Sequence, residues 1–292
     1  MKLYGMKLYF LLRRRGSVSP SPLLAEVFLT LKRRGFEVDA GIPEELVVSP
    51  AAVTVEHDLY VLKSHSELSL SLAGCLHDQG ARVLNPYPCS ALVHDKVMAS
   101  RRLRAAGIPS PRSWCTDDLT LLRPLAEERR LIIKPHRSSR GAGVHVVHSP
   151  RELAAIAPPT MAVMVQEYVE GTGQDLKVYV VGDHVFAVRK PFSPTSYSEP
   201  GSPCPVSAEV GRIALCCGRV FGLGLFGVDM IESPHGPVVI DVNWFPGYKG
   251  APNVAPLIAD YITDYARGRL QLALPPALEA PAEERRQARA AS

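Results

Sequence analysis

Long apolar runs are missing from this chain. Near the N-terminus the run Leu8 to Leu12 gives way after five residues to Arg13, Arg14 and Arg15, whereas a signal core needs roughly 7–15 apolar residues and a membrane span about 20. No G-K-[ST] triplet occurs anywhere, which excludes a Walker-type phosphate loop. The six cysteines (Cys75, Cys89, Cys115, Cys204, Cys216 and Cys217) include no Cys-x-x-Cys pair and have no histidine at metal-ligand spacing. Neither a disulfide framework nor a zinc site is indicated, and a reducing cytoplasm is the expected location. Surplus charge is also scarce: 33 Lys and Arg stand against 29 Asp and Glu, too even a balance for a protein organised around a nucleic-acid backbone. No nucleic-acid or membrane partner is expected, and composition is silent on oligomeric state. What remains is 292 residues with 46% hydrophobic content, enough for two compact lobes or one large domain with a cap.

The opening repeats itself, Met1-Lys-Leu-Tyr-Gly and then Met6-Lys-Leu-Tyr-Phe, which points to Met6 as an alternative start. From Lys7 to about Pro86, short apolar strands alternate with helical stretches, predicting a small parallel α/β lobe over residues 1–88. The strands are read at Lys7 to Leu12, Phe36 to Ala40, Asp58 to Lys63 and Arg82 to Leu84, the helices at Pro20 to Arg34 and Glu67 to Gln79. A single helix is then expected from Ser90 to Ala106, ended by Gly107 and followed by the extended linker Ile108-Pro109-Ser110-Pro111. Beyond it strands dominate: Leu131 to Pro135, Val144 to His148, Met161 to Val169, Asp175 to Val181 and His184 to Pro191. Gly182-Asp183 joins the last two as a tight hairpin. The segment Phe192 to Val206, rich in proline, glycine and hydroxyl side chains, is expected to be a mobile lid. A helix (Ser207 to Phe221), two strands (Leu225 to Glu232, Pro237 to Asn243) and a helix from about Pro252 to Arg267 complete a second domain over 89–269. A frayed tail is expected over 270–292.

Gly222-Leu-Gly224-Leu-Phe-Gly227 spells the dinucleotide fingerprint G-x-G-x-x-G, but that motif needs a strand before it and a helix after it. Here the order is reversed, so a close-packed turn is expected instead. In Lys134-Pro-His136-Arg137-Ser-Ser-Arg140-Gly141-Ala-Gly143-Val, a lysine ends a buried strand and a donor-rich loop follows, where glycines let backbone N–H groups approach an anion. Asp229 lies within one apolar strand, and Asp241-Val-Asn243 ends the next with both polar side chains on one face. Two carboxylates and an amide oxygen form a hard donor set suited to magnesium bridging nucleotide phosphates. Between these motifs, the strand ending Gln166-Glu167-Tyr168-Val169-Glu170-Gly171 is expected to leave backbone groups free for a purine, with Asp175 or Glu170 near the ribose.

With these residues in place the chain resembles the ATP-grasp enzymes over roughly Ser90 to Arg267, and the first lobe resembles their usual pre-ATP-grasp domain. Met164-Val-Gln166-Glu167-Tyr168-Val169, Asp175-Leu-Lys177-Val-Tyr-Val-Val-Gly182-Asp183 and Gly141-Ala-Gly143-Val144 look like the RimK-type amino-acid ligases. Two stretches are similar to the inositol-trisphosphate kinases of the same fold: Leu176 to Gly182 through Arg189-Lys190-Pro191, and Phe226 to Asp229 through Ile240-Asp241-Val-Asn243-Trp-Phe-Pro246-Gly247-Tyr248. Lys63 falls where those kinases keep a substrate-binding lysine. The resemblance implies an α/β (α+β) ATP-grasp fold with ATP as cofactor and two magnesium ions, or manganese in their place. It implies that Lys96 and Lys134 contact the ATP phosphates beside Gly141 and Gly143, with adenine at Gln166 and the backbone of Glu167, Tyr168 and Val169, and ribose at Asp175. Asp229, Asp241 and Asn243 would bind the metal. Lys177 and Lys190, with Lys134, would face the transferred phosphoryl group and an anionic acceptor. From Phe192 to Gly211 no Lys or Arg occurs, although the ligases usually place an arginine there.

The expected activity is an ATP-dependent carboxylate–amine ligase working through an acyl phosphate, by charge stabilisation and exclusion of water. The alternative is a kinase moving the same phosphoryl group to a polyol or inositol phosphate, for which His136 is the loop histidine placed to act as base. A third possibility is a nucleotide-binding partner protein without chemistry. Lys63, Arg137, Arg140, Lys177, Lys190 and Lys249 would suit a small anionic substrate in either enzymatic reading.

Overall fold

The computed structural model describes residues 5–14, 20–137, 143–191 and 200–278. Strands β1 (Lys7–Leu11), β2 (Glu37–Gly41), β3 (Leu59–Leu62) and β4 (Val83–Leu84) form a sheet in the order β2-β1-β3-β4. All its neighbours run parallel. Every residue of β3 is buried, as a parallel strand covered on both faces requires. The helices between them are α1 (Pro22–Arg33) and α2 (Glu67–Asp78), each started by a serine whose hydroxyl accepts a first-turn N–H: Ser21 from Leu24 and Ser66 from Ser69.

The single helix expected over 90–106 is two, α3 (Tyr87–His94) and α4 (Lys96–Ala105). Asp95 breaks it. Its backbone is extended, with φ −85° and ψ 107°, and its carboxylate accepts from the N–H groups of Val97 and Met98 at 3.0 and 3.1 Å. An aspartate that caps a new helix outcompetes continuation of the old one. Lys96 thereby becomes the first residue of α4.

A second sheet, antiparallel in the order β5-β8-β6-β7, is built from β5 (Ser113–Thr116), β6 (Leu131–Pro135), β7 (His145–Val147) and β8 (Val163–Glu167), with α5 (Arg123–Glu128) and α6 (Pro150–Ala154) beside it. The sequence reading contained neither β5 nor these two helices, which are too short for a hydrophobic period to show. A third sheet has the order β11-β10-β9-β12-β13, from β9 (Gln174–Val181), β10 (His184–Pro191), β11 (Ser202–Cys204), β12 (Leu225–Ser233) and β13 (Gly236–Trp244). Helix α7 (Ala208–Phe221) precedes β12 and α8 (Val254–Ala266) follows β13. Gly222, at φ 67°, ends α7 in a left-handed cap, so the G-x-G-x-x-G letters do lie between a helix and a strand.

The lid expected over Phe192 to Val206 is corrected in part. Residues 192–199 lie outside the described residues, but Ser202–Cys204 is an edge strand with Cys204 opposite Ala187 and Ser202 opposite Arg189. Buried Gly201 permits this: a Cβ there would lie 2.6 Å from Val188 Cγ2, so only glycine lets the chain approach β10 so closely.

One hydrophobic core runs from the parallel sheet through α3 and α4 into the five-stranded sheet and α8, while the four-stranded sheet has a small core of its own around Leu131, Ile133 and Val165. Asn85, fully buried, links the parallel sheet to the five-stranded sheet. Its amide donates to Leu225 O at 2.8 Å and its oxygen accepts from the N–H groups of Gly224 and Leu225 at 2.9 and 3.1 Å. Asn85→Ala strands the buried N–H groups of Gly224 and Leu225, while Leu225 O keeps its bond from Phe245 N–H; it is expected to cost about 2–3 kcal/mol, read as a lower urea midpoint with an unchanged slope. Leu270 and Leu272 also pack on the large core. Among the described residues no helix is long and apolar enough to cross a membrane.

Candidate active site

Strand register assembles a polar patch on one face of the five-stranded sheet. Lys177 stands opposite Asp229, Asp229 opposite Asp241, and Asp175 opposite Lys190. Because side chains alternate, Tyr179 on β9 and Asn243 on β13 share the same face. Next to Asp241 the ladder slips: Asp229 faces Asp241 but Met230 faces Val239, so Ile240 is an extra residue. Such a bulge bends the strand where a side chain must be re-aimed.

Each carboxylate of the central pair meets a lysine. Lys177 Nζ lies 2.9 Å from Asp229 Oδ1, and Lys96 Nζ lies 3.5 Å from Asp241 Oδ2. For Lys177, burial is the largest influence and pushes its pKa down, but the Asp229 charge and hydrogen bond, with Asp175 and Tyr179, outweigh it and hold the ammonium well above its ordinary value. Burial likewise pushes Asp241 up, yet Lys96, Lys134, Lys177 and the N–H of Val242 together keep it below the usual carboxylate range. Asp175 goes the other way, raised by burial against the pull of Lys177. Lys190 is 2% exposed, and burial lowers its pKa, assisted by Lys177 and Lys249. Tyr179 is pushed up to about 12 by burial and then by Asp229, so its hydroxyl keeps its proton and donates to Lys249 O at 3.4 Å.

The four-stranded sheet supplies the opposing wall. Lys134, near the end of β6, donates to Gln166 Oε1 of β8 at 2.7 Å. Burial lowers its pKa, and the charges of Asp241, Lys96, Asp229 and Asp175 act on it in that order, which places it across from the carboxylates of the other sheet. A cavity of about 20 Å³ remains between Lys96, Lys134, Gln166 and Asp241. A wider, open cleft of about 650 Å³ is lined by Glu170, Gln174, Arg189 and Glu232. By strand alternation Arg189 and Glu232 point to the reverse face, where they form a bidentate pair at 2.9 and 3.0 Å, so that cleft is not where the lysines converge.

Lys96, Lys134, Gln166, Asp175, Lys177, Lys190, Asp229, Asp241 and Asn243 are therefore brought to facing surfaces. Gly143, at φ 71°, turns back onto Pro135; Gly141 and Arg140 lie outside the described residues. Three expectations need correction. The end of β8 does not leave all its amides free: Glu167 N–H donates to Arg112 O and Tyr168 N–H to Arg130 O, both at 2.9 Å, because the chain continues to pair past the strand's end. Glu170 pairs with Arg130, which lies over the Tyr168 ring at 4.8 Å, leaving Asp175 as the ribose candidate. Lys63 is not presented to a substrate: it is 9% exposed and donates to Phe245 O at 2.9 Å. His136 Nδ1 bonds to Ala162 O at 3.0 Å, and its own carbonyl accepts Lys96 N–H at 3.2 Å. Tyr179 was missed, although its place two residues after Lys177 put it on the same strand face.

The donor set fits a hard cation. Asp229, Asp241 and Asn243 offer oxygen only, on adjacent strands and one face, and their charge is already balanced by lysines. Among the described residues no cluster of three or more His, Cys, Asp or Glu side chains offers a metal site.

A sequence model of the RimK-like ATP-grasp domain matches residues 93–262, more than half of the chain. A Pseudomonas putida F1 protein named probable alpha-L-glutamate ligase is 28% identical over 224 residues, covering 66% of this chain and 73% of that protein. Among solved structures, a RimK domain ATP-grasp protein from Sphaerobacter thermophilus superposes with a TM-score of 0.73 at 22% identity, over 87% of this chain and 98% of that one. The ATP-grasp ligase PsnB, complexed with a phosphomimetic variant of its minimal precursor, Mg and ADP, gives a TM-score of 0.63 at 20% identity over 91% and 99%. At these identities the structural likeness speaks for the fold.

Proposed function

The chain belongs to the RimK-like ATP-grasp family, and from that premise we propose that it joins a carboxylate to the amine of an acidic amino acid, driven by ATP and magnesium. It is an ATP-dependent ligase of the ATP-grasp type. The observation that carries the finer reading is the pair of facing walls, with Lys134 and Gln166 on one and the Lys177–Asp229–Asp241–Lys96 row on the other. A nucleotide triphosphate needs cations around its phosphates and carboxylates for its metal, and both are assembled here.

In this reading Lys96 and Lys134 hold the phosphates, adenine lies against Gln166 and Glu167–Val169, and Asp175 takes the ribose. Asp229, Asp241 and Asn243 hold two magnesium ions, which when bound supply charge neutralisation at the phosphates. A carboxylate oxygen of the acceptor attacks the γ-phosphorus and ADP leaves, giving an acyl phosphate. The amine then attacks the acyl carbon, phosphate departs with the C–O electron pair, and the amine proton passes to solvent. Lys177 and Lys190 stabilise the charge that develops, and the closed walls exclude the water that would hydrolyse the acyl phosphate. Lys190 and Lys249 favour an anionic substrate, and the glutamate ligase among the relatives makes glutamate the first amine to offer. The kinase alternative has no support among these relatives.

Incubation with ATP, magnesium, glutamate and a panel of carboxylates and polyols tests the reading by mass spectrometry. An amide with ADP and phosphate in equal amounts is expected; a phosphorylated polyol would overturn it.

A further inference from the structure

Beyond β13 the chain makes a turn that side chains disfavour: Phe245 has φ 29° and Tyr248 φ 49°. Left-handed backbone at bulky residues persists only where the surroundings hold it. On the sheet side, Phe245 N–H donates to Leu225 O at 2.6 Å and Tyr248 Oη to Val180 O at 2.9 Å. On the other side, the contacts come from three consecutive residues at the end of β3, in the parallel sheet.

Lys63 Nζ donates to Phe245 O at 2.9 Å and lies 4.9 Å from the centre of the Phe245 ring. Trp244 Nε1 donates to Ser64 O at 3.1 Å. His65 stacks on Trp244 with ring centres 4.4 Å apart and planes 14° from parallel, and its Nε2 is 3.4 Å from Phe245 O. The opposite contact on Trp244 is edge-on, from His94 at 5.4 Å, and His94 is tied to Glu67 of α2 at 2.6 Å. Burial, then the Lys63 charge, holds the His65 imidazole down to about 3, so it is neutral and its Nε2 hydrogen can point at the carbonyl.

We propose that Lys63, Ser64 and His65 are positioning residues for the ligase reaction, gripping the strained turn at Trp244 and Phe245 so that Asn243 before it and Lys249 after it stay in register with Lys177 and Lys190. The turn joins these two: Asn243 is the last residue but one of β13, and Lys249, whose charge acts on Lys190 and whose carbonyl accepts from Tyr179, follows within six residues. A turn that relaxes moves both at once. Lys63 thus acts on the chemistry through the backbone, at a position where a lysine would otherwise be taken for a substrate contact.

The kinetic part of this inference rests on the ligase reading; the spectroscopic part does not. In a Trp114→Phe background Trp244 is the single tryptophan of the chain, and its emission reports the His65 stack. Lys63→Met is expected to alter that emission and lower kcat by about 10²-fold, the scale on which a misplacement of about 1 Å acts, with affinity for a non-hydrolysable ATP analogue retained. Lys63→Arg, which keeps a donor, should restore most of both. His65→Ala removes the stack without stranding a buried cation, and should show the same pattern if Lys63→Met folds poorly by circular dichroism. Unchanged emission with a rise only in the acceptor KM would make Lys63 a substrate contact and overturn the proposal. So would wild-type emission and kcat together. If the parent forms no amide at all, the ligase reading fails, while the emission of the variants still decides the grip.

Discussion

Turnover is expected to fall by about 10³-fold or more in the double variant Asp241→Asn, Asn243→Ala, the scale of losing more than one preorganised electrostatic contact in the transition state. The fold should survive. Neither side chain belongs to the hydrophobic core, and asparagine at 241 keeps an oxygen for the bond from Val242 N–H at 3.1 Å. What is lost is charge. Asp241 is held ionised by Lys96, Lys134 and Lys177 despite its burial; neutralising it leaves those ammonium groups facing one another across the narrow gap between the walls. Single-turnover release of ADP measures the chemical effect, urea unfolding the stability. Binding of Mn²⁺ with a non-hydrolysable nucleotide, followed by electron paramagnetic resonance, gives a readout independent of catalysis and should show weakened metal binding. Wild-type-like ADP release at ordinary magnesium would end the assignment of this strand as the metal site.

Lys134→Met is expected to lower kcat by about 10²-fold or more, because it removes one fixed cation from the transferring phosphates while preserving side-chain bulk. The lysine is poised rather than merely present. Its ammonium is desolvated, which depresses its pKa, and its hydrogen bond to Gln166 at 2.7 Å directs it into the gap. A lysine with a depressed pKa loses its proton earlier as pH rises, so kcat/KM for ATP, which reports the free enzyme, should fall on the alkaline side below the range of an exposed lysine. In Lys134→Arg the part of that limb set by residue 134 should disappear, since a guanidinium does not titrate there, leaving the limb that the lowered pKa of Lys190 sets. A change confined to the acceptor KM in Lys134→Met would move this residue out of the phosphate site.

Much of the machinery was legible in the chain alone, because it depends on local rules. Strand alternation put Asp241 and Asn243 on one face of their strand. Gly182-Asp183 marked the hairpin that joins β9 to β10, and the helix-before-strand context of Gly222 to Gly227 excluded a dinucleotide turn. The family resemblance rested on these same segments and agrees with the domain match over residues 93–262.

Tertiary structure decided everything that depends on partners far apart in sequence. Register across β9, β12 and β13 made Lys177, Asp229 and Asp241 one row, and no local pattern encodes which strands become neighbours. The break at Asp95, which a run of helix-forming residues concealed, turned Lys96 toward Asp241. Lys63 looked like a substrate residue because a lone lysine at a strand end carries no sign of what will bury it. The carbonyl that accepts its hydrogen bond lies 182 residues further along the chain. Local propensity and alternation are short-range properties that the sequence writes directly, whereas burial and pairing belong to the packed chain, and the charge balance of this site is set by burial and pairing.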